Sequence, residues 1–171
     1  MIVDVVKIAA FTFAAVVVQT SIMSTIEIAG ATPDLLLVTL VAVALLRGAI
    51  TGAAVGFAAG LLFDVATLGR LGETSLLLTI AGYWIGRYGE TTGRDRSHAP
   101  LLSVAVVTVV YALATLFLHV VLGDPVDATD LLGSLLPAVL LNLLLTFPVH
   151  ALVRRVLGRP DWAPQEVRLL G

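Results

Sequence analysis

The sequence predicts an all-α integral membrane protein whose six transmembrane helices form one bundle. Hydrophobic residues make up 58% of the chain, charged residues make up only 13%, and the mean hydropathy is +1.03. A soluble domain of this size could not bury so much apolar surface. The apolar residues fall into runs separated by short polar segments, so the 171 residues leave no room for a separate soluble domain.

The composition also excludes some classes of site. Cysteine is absent, so the chain has no disulfide, no thiolate metal ligand and no cysteine nucleophile. The formal net charge of -2 excludes a basic nucleic-acid-binding protein, and we expect no nucleic acid among its partners.

Six apolar segments give the predicted order of the helices. We expect a membrane domain at residues 1–157, with spans at about 5–23, 35–46, 48–63, 74–86, 101–122 and 131–153, and a cytoplasmic tail at 158–171. The first span has no basic segment before it and no clear cleavage site, so we interpret it as a retained anchor rather than a signal peptide. The second and fourth spans reach only roughly 18–20 Å at ~1.5 Å per residue, against a hydrocarbon core of about 30 Å. They must use polar ends, thin the bilayer or lie inside the bundle.

The position of Arg47 decides between five and six spans. If residues 35–63 formed one span, an arginine would lie near the middle of the bilayer, at a cost of at least about 2.5–3.5 kcal/mol. With six spans, both termini are cytoplasmic and every basic residue except Arg70 lies on the inner side: Lys7, Arg47, Arg87, Arg94, Arg96, Arg154, Arg155, Arg159 and Arg168. This distribution follows the positive-inside rule, which favours six spans.

A stripe of glycines runs through the third span. Gly48, Gly52, Gly56 and Gly60 are four residues apart, which places them on one face of a helix. In a membrane such a face lets another helix backbone approach closely. We therefore predict that these are helix-packing residues and that the third helix lies at the centre of the bundle. The plain interpretation is a close-packing seam with no function beyond the fold.

Two acidic residues lie near the predicted outer ends of spans. Asp34 follows Pro33 at the start of the second helix, where a capping role is the plain interpretation. Asp64 lies at the C-terminal end of the third span, where the helix dipole disfavours an anion, so it needs a partner. Either an ion pair with Arg70 or hydrogen bonds from loop amides as far as Gly72 would supply one. The alternative is that these five residues form an outer-face site for a partner or ligand.

The last two spans contain three polar side chains of interest: His119, Asn142 and His150. Polar groups inside a membrane are functional candidates, but the two histidines lie near opposite ends of the predicted topology, and an interhelical hydrogen bond would satisfy Asn142. No His, Asp and Glu residues have the spacing of a metal site, and no nucleophile has a base nearby. We expect no cofactor, no metal and no enzymatic activity.

The segment 87–100 is the main predicted cytoplasmic loop. It is polar and contains three arginines, which is typical of a solvated loop on the inner side. The functional alternative is contact with anionic lipid head groups or with a cytoplasmic partner. Tyr83 and Trp84 come just before this loop, where interfacial aromatic residues are expected.

The central half of the chain, roughly residues 33–86, resembles the rod shape-determining protein MreD family. The resemblance is carried by Pro33-Asp34-Leu35-Leu36-Leu37, Leu46-Arg47-Gly48, the block from Gly56 to Asp64, Leu71-Gly72 and Gly82-Tyr83. The block ending at Asp64 is the strongest part. The motifs consist of common membrane residues, and the other spans match only as apolar helices.

The resemblance implies a non-enzymatic scaffold in the bacterial plasma (inner) membrane that helps maintain rod shape. It implies binding to the membrane helix of MreC, and membership of an assembly with RodA, a class B penicillin-binding protein and MreB that carries out peptidoglycan synthesis during elongation. Membrane lipid and a second copy of the chain are further expected partners. The family's fold is similar to that of the S components of energy-coupling factor transporters. The alternative function is therefore a substrate-binding S component of a vitamin transporter, which would need polar or aromatic residues around an outer pocket.

Overall fold

A computed structural model describes residues 2–92, 98–123 and 128–158. Within these ranges the chain forms six α-helices: α1 (Ile2–Ser21), α2 (Leu35–Arg47), α3 (Ala49–Thr67), α4 (Glu73–Thr92), α5 (Ala99–Leu122) and α6 (Ala128–Leu157). A 3₁₀ turn, Met23–Thr25, follows α1. The described residues contain no β-strand, so the predicted all-α class is confirmed.

Each predicted span overlaps one helix, and the largest difference in bounds is in α4, which continues past Gly86 to Thr92. The tail from residue 159 lies outside the described residues, and so do four of the predicted inner basic residues: Arg94, Arg96, Arg159 and Arg168.

Four helical segments of the described chain are long and apolar enough to cross a membrane. They are Val3–Thr25, Ala49–Thr67, Ala99–Leu122 and Gly133–Leu157. The helix α2 is apolar but shorter, and α4 carries Glu73, Arg87 and Glu90. The fold is therefore that of a membrane protein. Two of its helices, α2 and α4, are not among the segments that meet both the length and the composition expected of a span.

The helix at the centre of the bundle is α2, and the prediction of a central third helix is wrong. Every residue from Leu36 to Leu45 is buried, whereas α3 exposes Ile50 and Phe57 on its outer face. The physical reason is length. The 13 residues of α2 are too few to cross the hydrocarbon core, so the surrounding helices shield it from lipid. The 19 residues of α3 are long enough to cross, so one side of α3 can face lipid.

The short α2 lies beside only the second half of α6. At its C-terminal end, Arg47 donates from Nη2 to the Leu157 carbonyl at 2.7 Å and lies 3.6 Å from the Asp4 carboxylate. At its N-terminal end, the Asp34 amide donates to Oδ1 of Asn142 at 2.8 Å. Asn142 is near the middle of α6, so at ~1.5 Å per residue the first half of α6 extends roughly 20 Å beyond the start of α2.

A tight turn brings the chain back from α1 to this buried start. The backbones of Ile28 and Ala31 exchange two hydrogen bonds, of 2.8 and 3.1 Å. Between them Ala29 and Gly30 both have positive φ, at 54° and 77°. This is the geometry of a two-residue hairpin turn, and it directs the buried residues Ala31 and Pro33 towards the bundle.

Candidate functional site

The glycine stripe of α3 packs directly against the backbone of α4. A Cβ atom added to Gly52 would lie 2.9 Å from the Gly82 carbonyl carbon, and one added to Gly56 would lie 2.6 Å from that of Leu78. A Cβ added to Gly60 would lie 2.5 Å from the Ser75 nitrogen. Real side chains do not tolerate such distances to backbone atoms, so these three positions require glycine. The fourth predicted packing residue, Gly48, has a different place: it joins α2 to α3 with φ of 88°, a conformation that favours glycine.

The helix α4 presents a matching stripe of glycines that the sequence reasoning missed. A Cβ added to Gly82 would lie 2.6 Å from the Gly52 carbonyl carbon, and one added to Gly86 would lie 2.5 Å from the Ala49 nitrogen. Gly89 is also close, with its added Cβ 3.0 Å from the Leu45 carbonyl oxygen. The spacing of four and three residues was visible in the sequence, but the polar residues around it concealed the stripe. Gly52 and Gly82 therefore face each other, Gly56, Gly60 and Gly86 mainly face non-glycine backbone of the other helix, and Gly89 faces Leu45 of α2. The helices α3 and α4 pack as an antiparallel pair.

Asp64 caps the start of α4. Its Oδ2 accepts a hydrogen bond from the Gly72 amide at 2.8 Å, and its Oδ1 accepts one from the Thr74 amide at 3.3 Å. The residue is only 2% exposed. The predicted hydrogen bond from the Gly72 amide is thus present in the structure. The carboxylate lies at the C-terminal end of its own helix but at the N-terminal end of α4, where free amides and the helix dipole favour an anion.

Glu90 caps the start of α3, at the opposite end of the helix pair. Its Oε1 accepts a hydrogen bond from the Ala49 amide at 2.8 Å, which caps the first turn of α3. Its Oε2 lies 3.4 Å from Nη1 of Arg87 on the same helix. Glu90 is not among the predicted site residues, because a glutamate near Arg87 in a polar segment is typical of a solvated loop.

The loop between α3 and α4 holds the remaining residues of the predicted outer-face site. Gly72 has φ of 94°, a value that favours glycine, and its amide points to Asp64. Arg70 is exposed, and its carbonyl accepts a hydrogen bond from the Glu73 amide at 3.2 Å. Both residues therefore shape the turn that places Asp64 on α4.

Asp34 belongs to a second polar cluster, buried at the start of α2. Its Oδ1 accepts a hydrogen bond from the Leu37 amide at 2.8 Å, as the capping interpretation predicts. Beside it, Gln19 of α1 accepts from the Leu35 amide at 2.7 Å and donates to the Pro33 carbonyl at 3.3 Å. Asp34 therefore lies inside the bundle, beside the middle of α6, rather than near the outer end of the bundle as predicted.

Asn142 connects this cluster to α5. Its Nδ2 donates to Oγ1 of Thr108 at 3.1 Å, while its Oδ1 accepts from the Asp34 amide. Its backbone carbonyl accepts from the Thr146 hydroxyl at 2.7 Å. The side chain thus bridges α2, α5 and α6, and every one of these contacts is an interhelical or local hydrogen bond of the kind the sequence predicted.

A few further polar contacts join α4 and α5 near Asp64. Tyr111 shares a hydrogen bond with the Thr74 side chain and lies near the carboxylates of Asp34 and Asp64. About two turns further along α5, Nδ1 of His119 lies 2.9 Å from the Thr115 carbonyl and 3.5 Å from Oε1 of Glu73. These contacts join α4 to α5 at the end of the bundle where Asp64 lies.

The geometry offers helix capping and packing rather than reaction chemistry. Among the described residues, no group of three or more His, Cys, Asp and Glu side chains is arranged to hold a metal ion. His150 is half-buried in α6, far along the helix from the other two polar clusters, and the structure does not bring it to them.

Comparison with known families decides what this bundle is. The sequence matches the family described as rod shape-determining protein MreD over residues 1–156. The chain belongs to the MreD family. The resemblance predicted from residues 33–86 is thereby confirmed, and the match includes all six helices except Leu157, the last residue of α6. Comparisons with curated proteins and with solved structures gave no match.

Membership of this family assigns the protein to cell-shape determination in a membrane. The capped glycine pair and the buried start of α2 lie within the matched residues. They are therefore features of the part of the chain that carries the family relationship.

Proposed function

We propose that the protein is a non-enzymatic scaffold of the bacterial cell-elongation machinery, which binds MreC and helps maintain rod shape. The observation that carries this proposal is the family match over residues 1–156. The geometry is in keeping with it, because the two acids that were the best candidates for chemistry, Asp34 and Asp64, accept hydrogen bonds from backbone amides. Their role is to hold the frame together while exposed apolar helix faces remain for partners.

The proposal includes six membrane-crossing helices in the plasma (inner) membrane, with both termini in the cytoplasm. Arg47, Arg87, Arg154 and Arg155 lie at one end of the bundle, and Asp64 lies at the other. The positive-inside rule makes the arginine end cytoplasmic. The short α2 is shielded from lipid by its neighbours, so its length need not match the bilayer. The proposal also includes a bundle similar to the S-component fold, a likeness that would not by itself imply transport.

Exposed apolar side chains on the outer helices are available for a partner helix. On α5 they include Val110 and Phe117, and on α6 they include Leu136 and Leu144. On α1 and α3, Phe13 and Phe57 are exposed in the same way. RodA, the penicillin-binding protein and MreB would join the assembly through MreC or through these faces.

Site-specific photocrosslinking in the native membrane tests the proposal. A photoreactive amino acid is placed at each of these six exposed positions in turn, with buried Val43 and Val104 as controls. We expect adducts with MreC at a contiguous subset of the exposed positions and none at the buried ones. If no exposed position gives an adduct with MreC while the protein is present at normal levels, the proposed binding is wrong.

A further inference from the structure

The helices α4 and α5 meet at one end and separate at the other. Near Asp64 they are joined by the Glu73–His119 contact of 3.5 Å and by the hydrogen bond between Thr74 and Tyr111. Towards the arginine end, a groove of about 250 Å³ opens between them. Its walls include Trp84, Ile85 and Tyr88 of α4 and Leu102, Val106 and Val107 of α5.

We propose that this groove, which we call the α4–α5 groove, binds an acyl chain of an anionic phospholipid of the inner leaflet, with the head group beside Arg87. The proposal depends on the membrane orientation given under Proposed function. It goes beyond that function because it identifies a ligand of the isolated protein rather than a partner in the assembly.

The lining of the groove favours an apolar occupant. Its walls are aliphatic and aromatic apart from Ser103, which is itself buried. Trp84, Leu102 and Val106 are 66%, 57% and 52% exposed, so the groove is open on the side that would face the bilayer. Water in such a groove would find almost no hydrogen-bond partners, whereas a hydrocarbon chain needs none.

The height of the groove favours a lipid over a partner helix. The wall residues on α5 run from Leu102 to Val107, about 8 Å along the helix at ~1.5 Å per residue. A transmembrane helix needs a contact surface over much of the ~30 Å hydrocarbon core, but here α4 and α5 close together beyond the groove. One leaflet contributes about half of that core, roughly 15 Å, so the groove would hold about half the length of an acyl chain that enters from the inner surface.

Charge and aromatic residues at the mouth favour an anionic head group. Arg87 lies on α4 between Trp84 and Tyr88, and its side chain is 58% exposed. Its contact with Glu90 is exposed to solvent and therefore contributes little. Aromatic rings and a basic residue at this depth are typical of the membrane interface, where they contact lipid phosphates.

Two variants with matched controls test the proposal on the purified full-length protein. Val106→Trp fills the groove, and Val110→Trp adds the same side chain one turn along α5 at a similarly exposed valine outside the groove. Arg87→Gln removes the charge at the mouth, and Arg155→Gln removes an exposed charge at the same end of the bundle. The protein is reconstituted with equal phosphatidylglycerol and phosphatidylethanolamine, extracted in mild detergent, and its retained lipid is counted by native mass spectrometry.

We expect Val106→Trp to lose the retained phospholipid and Val110→Trp to keep it. Arg87→Gln should lower the preference for phosphatidylglycerol by about fivefold, the equivalent of the ~1 kcal/mol with which one basic residue attracts an anionic surface, while Arg155→Gln keeps it. Equal lipid retention in the two tryptophan variants overturns the proposal, and so does an unchanged preference in Arg87→Gln. A photoreactive residue at position 106 that captures a polypeptide rather than lipid also overturns it.

The lipid measurement and the partner measurement are independent. Lipid is counted on protein purified without partners, so failure of the α4–α5 groove would leave MreC crosslinking unaffected. Absence of MreC adducts would likewise leave the retained lipid unchanged.

Discussion

Asp64 and Glu90 each cap the first turn of the helix to which the other belongs. Asp64 of α3 accepts the Gly72 and Thr74 amides at the start of α4, and Glu90 of α4 accepts the Ala49 amide at the start of α3. Between these caps, two glycine stripes bring the helix backbones into contact. The pair is thus fixed at both ends and along its length, which makes α3 and α4 one rigid unit against the central α2.

Removal of the Asp64 carboxylate should destabilise the fold. In Asp64→Ala two amides lose their acceptor, and each unpaired buried group costs about 1–3 kcal/mol. Asp64→Asn retains one carbonyl oxygen and should lose less. Thermal unfolding in detergent measures both, with Glu27→Ala in an exposed segment as the control. If Asp64→Ala is as stable as wild type but no longer crosslinks to MreC, the residue has a partner role instead.

Glu90→Ala should also lower stability, by about 0.5–2 kcal/mol, the usual loss for a helix cap. The two caps are roughly 22 Å apart along α3, at ~1.5 Å for each of the residues between Ala49 and Asp64. Distant sites add their effects, so the double variant with Asp64→Ala should lose the sum of the two changes. A Glu90→Ala protein with unchanged unfolding temperature would show that the Ala49 amide finds another acceptor.

Leucine at Gly56 or Gly60 should prevent the assembly of the bundle. The added side chain would meet the backbone of Leu78 or Ser75, which cannot move aside as a side chain can. Overpacking of a close interface typically costs about 1–3 kcal/mol, occasionally more. Ala58→Leu, at an exposed position between the two glycines, is the control. Size-exclusion chromatography of the membrane extract reports folding. Normal elution of both glycine variants would show that the close packing of Gly56 and Gly60 against α4 is wrong.

Asn142→Leu should weaken the bundle more than a change of size alone would. It leaves the Asp34 amide and the Thr108 hydroxyl without their partner, and we expect a loss of about 1–3 kcal/mol. In Thr108→Val only one of the contacts is lost, and the double variant should show coupling because the residues touch. The unfolding free energies of the two single variants and the double variant give this coupling. Strict additivity would contradict the hydrogen bond.

The arginine at the end of α2 should matter through its hydrogen bond rather than its charge. Arg47 donates to the last carbonyl of α6, so Arg47→Lys, which keeps the charge but loses the planar fork, should be less stable than wild type. Arg155→Lys, at an exposed position of the same end, is the control. Equal unfolding temperatures for Arg47→Lys and wild type would show that a charge alone suffices at this position.

Local features of this fold, such as a packing face or a helix cap, can be predicted from the sequence. Their partner helices and their burial cannot. The spacing of Gly52, Gly56 and Gly60 predicts a packing face because helical periodicity is a local property. The spacing does not identify α4 as the helix that packs on this face, because the glycines of α4 are interrupted by polar residues. Likewise Asp34 is recognisable as a helix cap, but its burial depends on how far along α6 the short α2 begins.

The two helix caps could likewise be predicted only in part from the sequence. A carboxylate at a helix end needs a donor, which the sequence predicts for Asp64. Which amides supply it depends on the antiparallel packing of α3 on α4, a tertiary relation. Glu90 gives no signal in the sequence, because its own helix provides no reason to expect that its carboxylate accepts the Ala49 amide of α3.

Affinity purification of the tagged protein from its native membrane, in mild detergent, tests the scaffold function most directly. We expect that MreC, a protein with one membrane helix and an extracytoplasmic domain, is recovered together with wall-synthesis enzymes. Recovery of ATPase subunits with a coupling membrane protein would contradict the scaffold function and favour a transporter S component.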